Sequence, residues 1–158
     1  MPVTNDIVKS WHSPRVVMRS HLARGRSEPW AFSLLVAFMV VAFVAQWPRA
    51  SRVSFLTPEV PLSPQLLAMA LGILALIPVW YLLAAITRWI SALAGGQGDH
   101  YGARLALFWA LVTVTPLMLL QGLVAGMIGP GPGLSAVTSL TGVAFLVFWI
   151  LNLIEAER

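Results

Sequence analysis

Residues 93–116 read LAGGQGDHYGARLALFWALVTVTP, a glycine-rich polar run with a carboxylate beside a histidine, set between two long apolar segments. Either the run holds a ligand or it is the turn joining two membrane helices. A phosphate-cradling loop needs fixed glycine spacing after a strand and before a helix, with a lysine in the P-loop case. No such strand precedes this run, and no lysine occurs after Lys9. Asp99 and His100 form an adjacent acid–base pair, but His12 and His21 lie far away in the N-terminal tail. Catalysis wants a third group to orient such a pair, and metals want three or four ligands. The run therefore reads as a turn. Gly95, Gly96 and Gly98 stop one helix and let the backbone reverse, and Arg104 opens the next.

Composition agrees with membrane helices on either side. Of 158 residues, 58% are hydrophobic and 10% charged, with a mean hydropathy of +0.81. Soluble domains carry about 25% charged residues, so this chain lacks the polar surface to cover a soluble globule. Four apolar segments, 30–47, 65–89, 104–128 and 134–154, match the roughly 20 helical residues that a bilayer core requires. The expected fold is all-α: a polytopic transmembrane bundle of four spans following a basic tail over 1–29. Placing the N-terminus in the cytoplasm puts Lys9, Arg15, Arg19, Arg24, Arg26, Arg88, Arg104 and Arg158 there, and leaves only Arg49 and Arg52 outside. The positive-inside rule then sets both termini in the cytoplasm. No apolar core follows the first basic residue, so the first span doubles as the targeting signal.

Within the tail, SPRVVMRSHLARG (13–25) carries a capping serine, Ser13, a first-turn proline, Pro14, and an exit glycine, Gly25. On a helix Val17, Met18, His21 and Leu22 share one arc, Arg19, Ser20 and Arg24 lie opposite, and Arg15 falls on the border. That pattern predicts a short amphipathic helix in the headgroup layer. Arg15, Arg19, Arg24 and Arg26 would meet anionic lipid at about 1 kcal/mol each. The alternative is a disordered basic tail that serves only the topology. Four prolines in PRASRVSFLTPEVPLSP (48–64) predict an extended outer loop, and the minimal GPGPG (129–133) makes the third and fourth spans neighbours.

Inside the spans, Pro78 and Pro116 predict kinks that free the carbonyls of Leu74 and Val112, with Thr113 and Thr115 placed to satisfy them. The kinks either form a bending unit or shape the packing. Gln46 and Gln121 are expected to bond each other between helices. Gly122 and Gly126 form a GxxxG step, echoed by Ser135 and Ser139, which serves packing within the chain or a dimer face. Every charged residue lies at the end of a span or in a loop, which argues against a pump or transporter. The absence of cysteine removes disulfides, cysteine-based zinc sites and thiol nucleophiles, and no nucleic-acid motif accompanies the basic charge. No catalytic residue, metal, cofactor or small-molecule substrate is expected.

Three stretches resemble the bacterial branch of the Yip family, multi-pass membrane proteins named for Rab/Ypt GTPase interaction in eukaryotes. SPRVVMRSHLARGRSEPWAF is similar to the family's basic lead-in to its first span, and FVAQWPR to the exit of that span. LAGGQGDHYGARLALFWALVTVTP is similar to its Gly-Gly-x-Gly turn and the arginine-led helix that meets a proline. The long acidic-aromatic cytosolic segment of eukaryotic members is absent, and four spans stand where members commonly have five. The resemblance implies an inner-membrane helical bundle without catalytic residues, whose partners are the lipid bilayer and either a membrane complex or further copies of itself. The expected role is membrane organisation or protein–protein interaction. An accessory or assembly subunit of a larger complex is the alternative, and a small transporter or channel component the third.

Overall fold

The computed structural model describes residues 3–158, and every regular element among them is an α-helix. In chain order these are α1 (Val3–His12), α2 (Pro14–Leu22), α3 (Glu28–Leu56), α4 (Leu62–Ala75), α5 (Ile77–Leu93), α6 (His100–Thr113), α7 (Thr115–Met127) and α8 (Pro132–Ala156). Three stretches are long and apolar enough to cross a membrane: α3, the near-continuous α4–α5, and α8. The pair α6–α7, bent by 43°, qualifies as a fourth when taken as one.

The centre of the molecule is α6. Every residue from Tyr101 to Thr113 except Arg104 is buried, enclosed by α1, α2, α3, α5 and α8. Past the bend, α7 buries only Thr115, Gly122 and Ala125 and lies along α3 and α8. The α3–α7 contact is made by glycine. A Cβ on Gly122 would run into the Ala45 carbonyl, and one on Gly126 would meet Pro48, with its carbonyl carbon at 2.8 Å. The GxxxG step is therefore used inside the chain, where the missing side chains bring two backbones together.

Both expected kinks are present as helix breaks, at Leu76 before Pro78 and at Val114 before Pro116. The carbonyl of Val112 accepts the Thr115 hydroxyl at 2.7 Å, and Thr113 bonds the Trp109 carbonyl at 2.8 Å. Thr115 thus satisfies the carbonyl that Pro116 leaves without a helical partner, whereas Thr113 bonds a carbonyl that the proline does not free.

Several expectations need correction. The stretch 48–64 is not extended, because α3 continues through Pro48 to Leu56 and α4 begins at Leu62, leaving a connection of residues 57–61. A proline costs one helical bond and a clash four residues back, and one kink-prone site near a helix end did not stop α3. Gln46 and Gln121 do not bond each other. The Gln121 amide donates instead to Thr138 on α8 at 3.0 Å, because α7 also packs on α8. The tail is not a lone interfacial helix: α1 precedes α2, and the pair folds back as a hairpin onto α6 and α8. The arc Val17, Met18 and His21 faces protein and is fully covered. Ser13 stands at the N-cap of α2, but its side chain makes no capping bond. Pro14 and Gly25 (φ +83°) take their expected places.

Candidate functional site

Charge collects at one end of the bundle, and almost all of it is paired. The starting stretch fits there as a turn built around a carboxylate of its own chain. Helix α5 ends with the Gly96 N–H on the Ser91 carbonyl at 2.8 Å and the Gly95 N–H on the Ala92 carbonyl at 3.1 Å. This is the Schellman pattern, and Gly95 supplies its left-handed φ of +88°. The next residues close on the end of α8. The Gln97 N–H donates to the Glu157 carbonyl and the Gly98 N–H to the Glu157 carboxylate, both at 3.1 Å. Arg88 reaches the same carboxylate at 3.3 Å. A Cβ on Gly98 would strike the Ala156 carbonyl, and one on Gly96 would lie 2.9 Å from the Ser91 carbonyl. The glycines that resemble a phosphate cradle therefore hold Glu157.

Asp99 has a structural duty that its neighbour lacks. As the N-cap of α6 it accepts the Gly102 N–H at 2.6 Å, and it pairs with Arg26 at 2.6 Å. His100 begins α6 exposed. Arg104 pairs with Glu28 and so ties the start of α6 to the start of α3.

The cluster that sequence reasoning missed lies beneath the α1–α2 hairpin. His21 is wholly buried between Trp109, with ring centroids 4.3 Å apart, and Trp30 at 6.0 Å. Its Nε2 is 3.7 Å from Asp6, which is also buried and faces Arg24 at 3.6 Å. Neither ring nitrogen has a hydrogen bond. Burial, with the Arg24 charge adding to it and Asp6 opposing, lowers the His21 pKa to about 4, so the imidazole is neutral at pH 7. Ser10 completes the group: it donates to the Asp6 carbonyl at 2.8 Å and accepts from the Trp109 indole at 3.0 Å.

Serine, histidine and aspartate are thus gathered, but not as a catalytic triad. A triad needs the serine hydroxyl bonded to the histidine and open to substrate. Here the Ser10 proton is committed to backbone, and the cluster is closed over by the hairpin. Its chemistry is that of a docking pin, with a proton-accepting group sealed under it. The signal in the sequence was the i, i+4 spacing of Asp6 and Ser10 and of Ile7 and Trp11, a helical face in a segment too short and polar to register as a span.

The arginines assigned to lipid headgroups mostly have protein partners. Arg19 pairs with Glu155 at 2.8 Å, Arg24 with Asp6 and the Trp30 ring, and Arg26 with Asp99. Arg15 and Arg49 are the arginines without an ion pair or hydrogen bond among the described residues. At the opposite end Arg52 donates to the Gly126 and Met127 carbonyls at 3.2 and 3.1 Å, capping α7. No group of three or more potential metal ligands occurs among the described residues. No protein-family model, curated protein or solved structure matches the chain.

Proposed function

We propose that the chain is a Yip-type integral protein of the bacterial inner membrane, with four spans and both termini in the cytoplasm. It acts without catalysis, through packing and interaction within the membrane. The observation that carries this reading is the separation of polar from apolar surface. Ionisable groups are laced together at one end, whereas α4 buries no residue at all and presents Leu67, Leu71 and Leu74 outward. A helix apolar on every side is stable only in lipid or against other apolar helices. The excess of arginine at the laced end supports its cytoplasmic placement.

Because the chain has no cysteine, topology is open to a direct test. Single cysteines replacing His100 and Glu59 should differ in cells: a membrane-impermeant maleimide should label position 59 and leave position 100 unlabelled until the membrane is permeabilised. Equal labelling of both in intact cells would overturn the four-span arrangement.

The sparse hold on α4–α5 favours a second reading, an accessory subunit whose arm docks on a larger complex. Only Ala84 is buried along the whole of α5. Affinity capture from native membranes in mild detergent separates the two: one large partner at fixed stoichiometry supports the subunit, self-association the organiser.

A further inference from the structure

The bend between α6 and α7 does more than shape packing. At Val114 the chain bends by 43°, and α7 lies on α3 and α8 without contact to α4. Beside the bend, between α3, α4 and α8, is a cavity of about 620 Å³, lined by Phe38, Gly72, Leu76, Trp80, Val114 and Gly142 among other apolar residues. That volume lies within the roughly 300–1,000 Å³ of small-molecule sites. Neither α4 nor α5 packs against α8 among the described residues, so the cavity has a lateral opening toward the bilayer.

The chamber is amphipathic along its length. Phe38, Ala42, Gln46 and Arg49 share one face of α3 and line it from bottom to top. The eleven helical rises from Phe38 to Arg49 cover about 16 Å, close to one leaflet of a 30 Å core. Arg49 stands roughly 30 Å along α3 from Glu28, at headgroup height. There Gln46, Arg49, Met118 and Gln121 also line a second cavity of about 450 Å³, which reaches Arg52 and Leu134. Gln46 has no side-chain hydrogen bond among the described residues, and Arg49 has no counter-charge. Two donors without partners thus stand where an apolar chamber meets a more polar vestibule.

We propose that these joined cavities bind one anionic phospholipid, with an acyl chain in the chamber behind the bend and the phosphate at Arg49. An apolar chamber one leaflet deep takes a hydrocarbon chain. An arginine without a partner favours a phosphate, which it can hold through two parallel bonds. Arg52 adds positive charge beside the headgroup without leaving the carbonyls it caps. The proposal rests on the membrane reading, whose own failure would appear separately in the cysteine labelling.

The test is native mass spectrometry of the full chain, purified in detergent doped with equimolar phosphatidylglycerol and phosphatidylcholine of the same chain length. One retained phospholipid per chain is expected, with phosphatidylglycerol favoured at least fivefold. Arg49→Gln should abolish that preference while retaining some lipid. Gly142→Leu should empty the site of both lipids without unfolding the chain, because a Cβ at Gly142 meets nothing within 4 Å. An unchanged thermal midpoint would check that fold. Equal retention of the two lipids by the unmodified chain, or undiminished retention by a folded Gly142→Leu chain, would overturn the proposal. Displacement of phosphatidylglycerol by equimolar oleate would also overturn it, since the occupant would then be a fatty acid. A lipid-free dimer would overturn it in favour of a second copy.

Discussion

Helices α6 and α7 are the two halves of one apolar stretch, joined at Val114, yet they live in different surroundings. The first is enclosed on all sides and buries Leu105, Leu107, Phe108 and Trp109 completely. The second leaves Leu119, Leu120 and Leu123 exposed and approaches the α3 backbone at Gly122 and Gly126, where it has no side chain. Composition separates them little, since both are mostly apolar beyond the first turn of α6. What differs is the number of neighbours the chain supplies: the α1–α2 hairpin covers α6 and nothing covers α7 in the same way. One end of the molecule is packed like a soluble core and the other like helices in lipid.

The largest effect should therefore come from truncating α6. Trp109→Ala removes a wholly buried ring, its contact with His21 and its bond to Ser10. Such changes cost about 3–5 kcal/mol, and the hairpin would lose its floor. The thermal midpoint in nanodiscs should fall by many degrees, and protease should cut at Arg15 and Arg19. Leu123→Ala on α7, at an exposed position, should cost under about 1 kcal/mol. Comparable losses at the two positions would erase the distinction between the halves.

Second in size is a pH effect confined to the filled end. His21 has a folded pKa of about 4, below its ordinary value of 6.5, so the unfolded chain binds more protons between those values. Stability then rises with pH across that window: the contribution is fully present above pH 6.5 and is lost as pH falls toward 4. Two and a half units correspond to about 3 kcal/mol. Asp6 and Arg24 face the same ring, so the informative comparison is the slope of stability against pH in the unmodified chain and in His21→Phe. The variant should lose roughly one proton's worth of slope between pH 4 and 6.5. Parallel profiles would mean that His21 is not the group that titrates.

The half that reads well from sequence is the open one. Apolar length set the spans to within a few residues at α8, and Pro116, Thr115 and the Gly122/Gly126 step each do what their chemistry suggested. The filled end read poorly for a physical reason. Residues 3–22 carry Asp6, Lys9, Arg15 and Arg19 among their apolar residues, and a hydropathy window averages the two away. The hairpin is held by a few specific contacts, Ser10 with Trp109 and Arg19 with Glu155, whose partners lie 99 and 136 residues on. No local pattern encodes them. The Gly-Gly-x-Gly turn was legible as a turn, but its requirement for glycine at 96 and 98 comes largely from Ala156 and Glu157, some sixty residues on.

Glycine substitutions sharpen the contrast at intermediate cost. Gly122→Val drives a branched side chain into the Ala45 carbonyl, where backbone cannot yield cheaply, and overpacking of this kind costs about 1–3 kcal/mol. Gly72→Ala meets open space and should leave the thermal midpoint unchanged or slightly raised. If both variants are equally stable, the α3–α7 approach is looser than the glycine step implies.

The smallest expected effects belong to the turn itself, where Asp99 serves two partners of unequal worth. Its bond to the Gly102 N–H is an N-cap, and removing it costs about 1 kcal/mol. Its pair with Arg26 is an exposed ion pair, worth about 0–1 kcal/mol and screened by salt. Asn keeps the cap and surrenders the charge, so Asp99→Asn should match Arg26→Gln, with both near the unmodified chain. Asp99→Ala loses the cap as well and should fall below them by about 1 kcal/mol. Raising the salt concentration should remove any difference between Asp99→Asn and the unmodified chain, but leave the Asp99→Ala deficit in place. If Asn proves as costly as Ala, the ion pair outweighs the cap. The start of α6 would then be held by charge across the turn, not by the backbone bond that begins the helix.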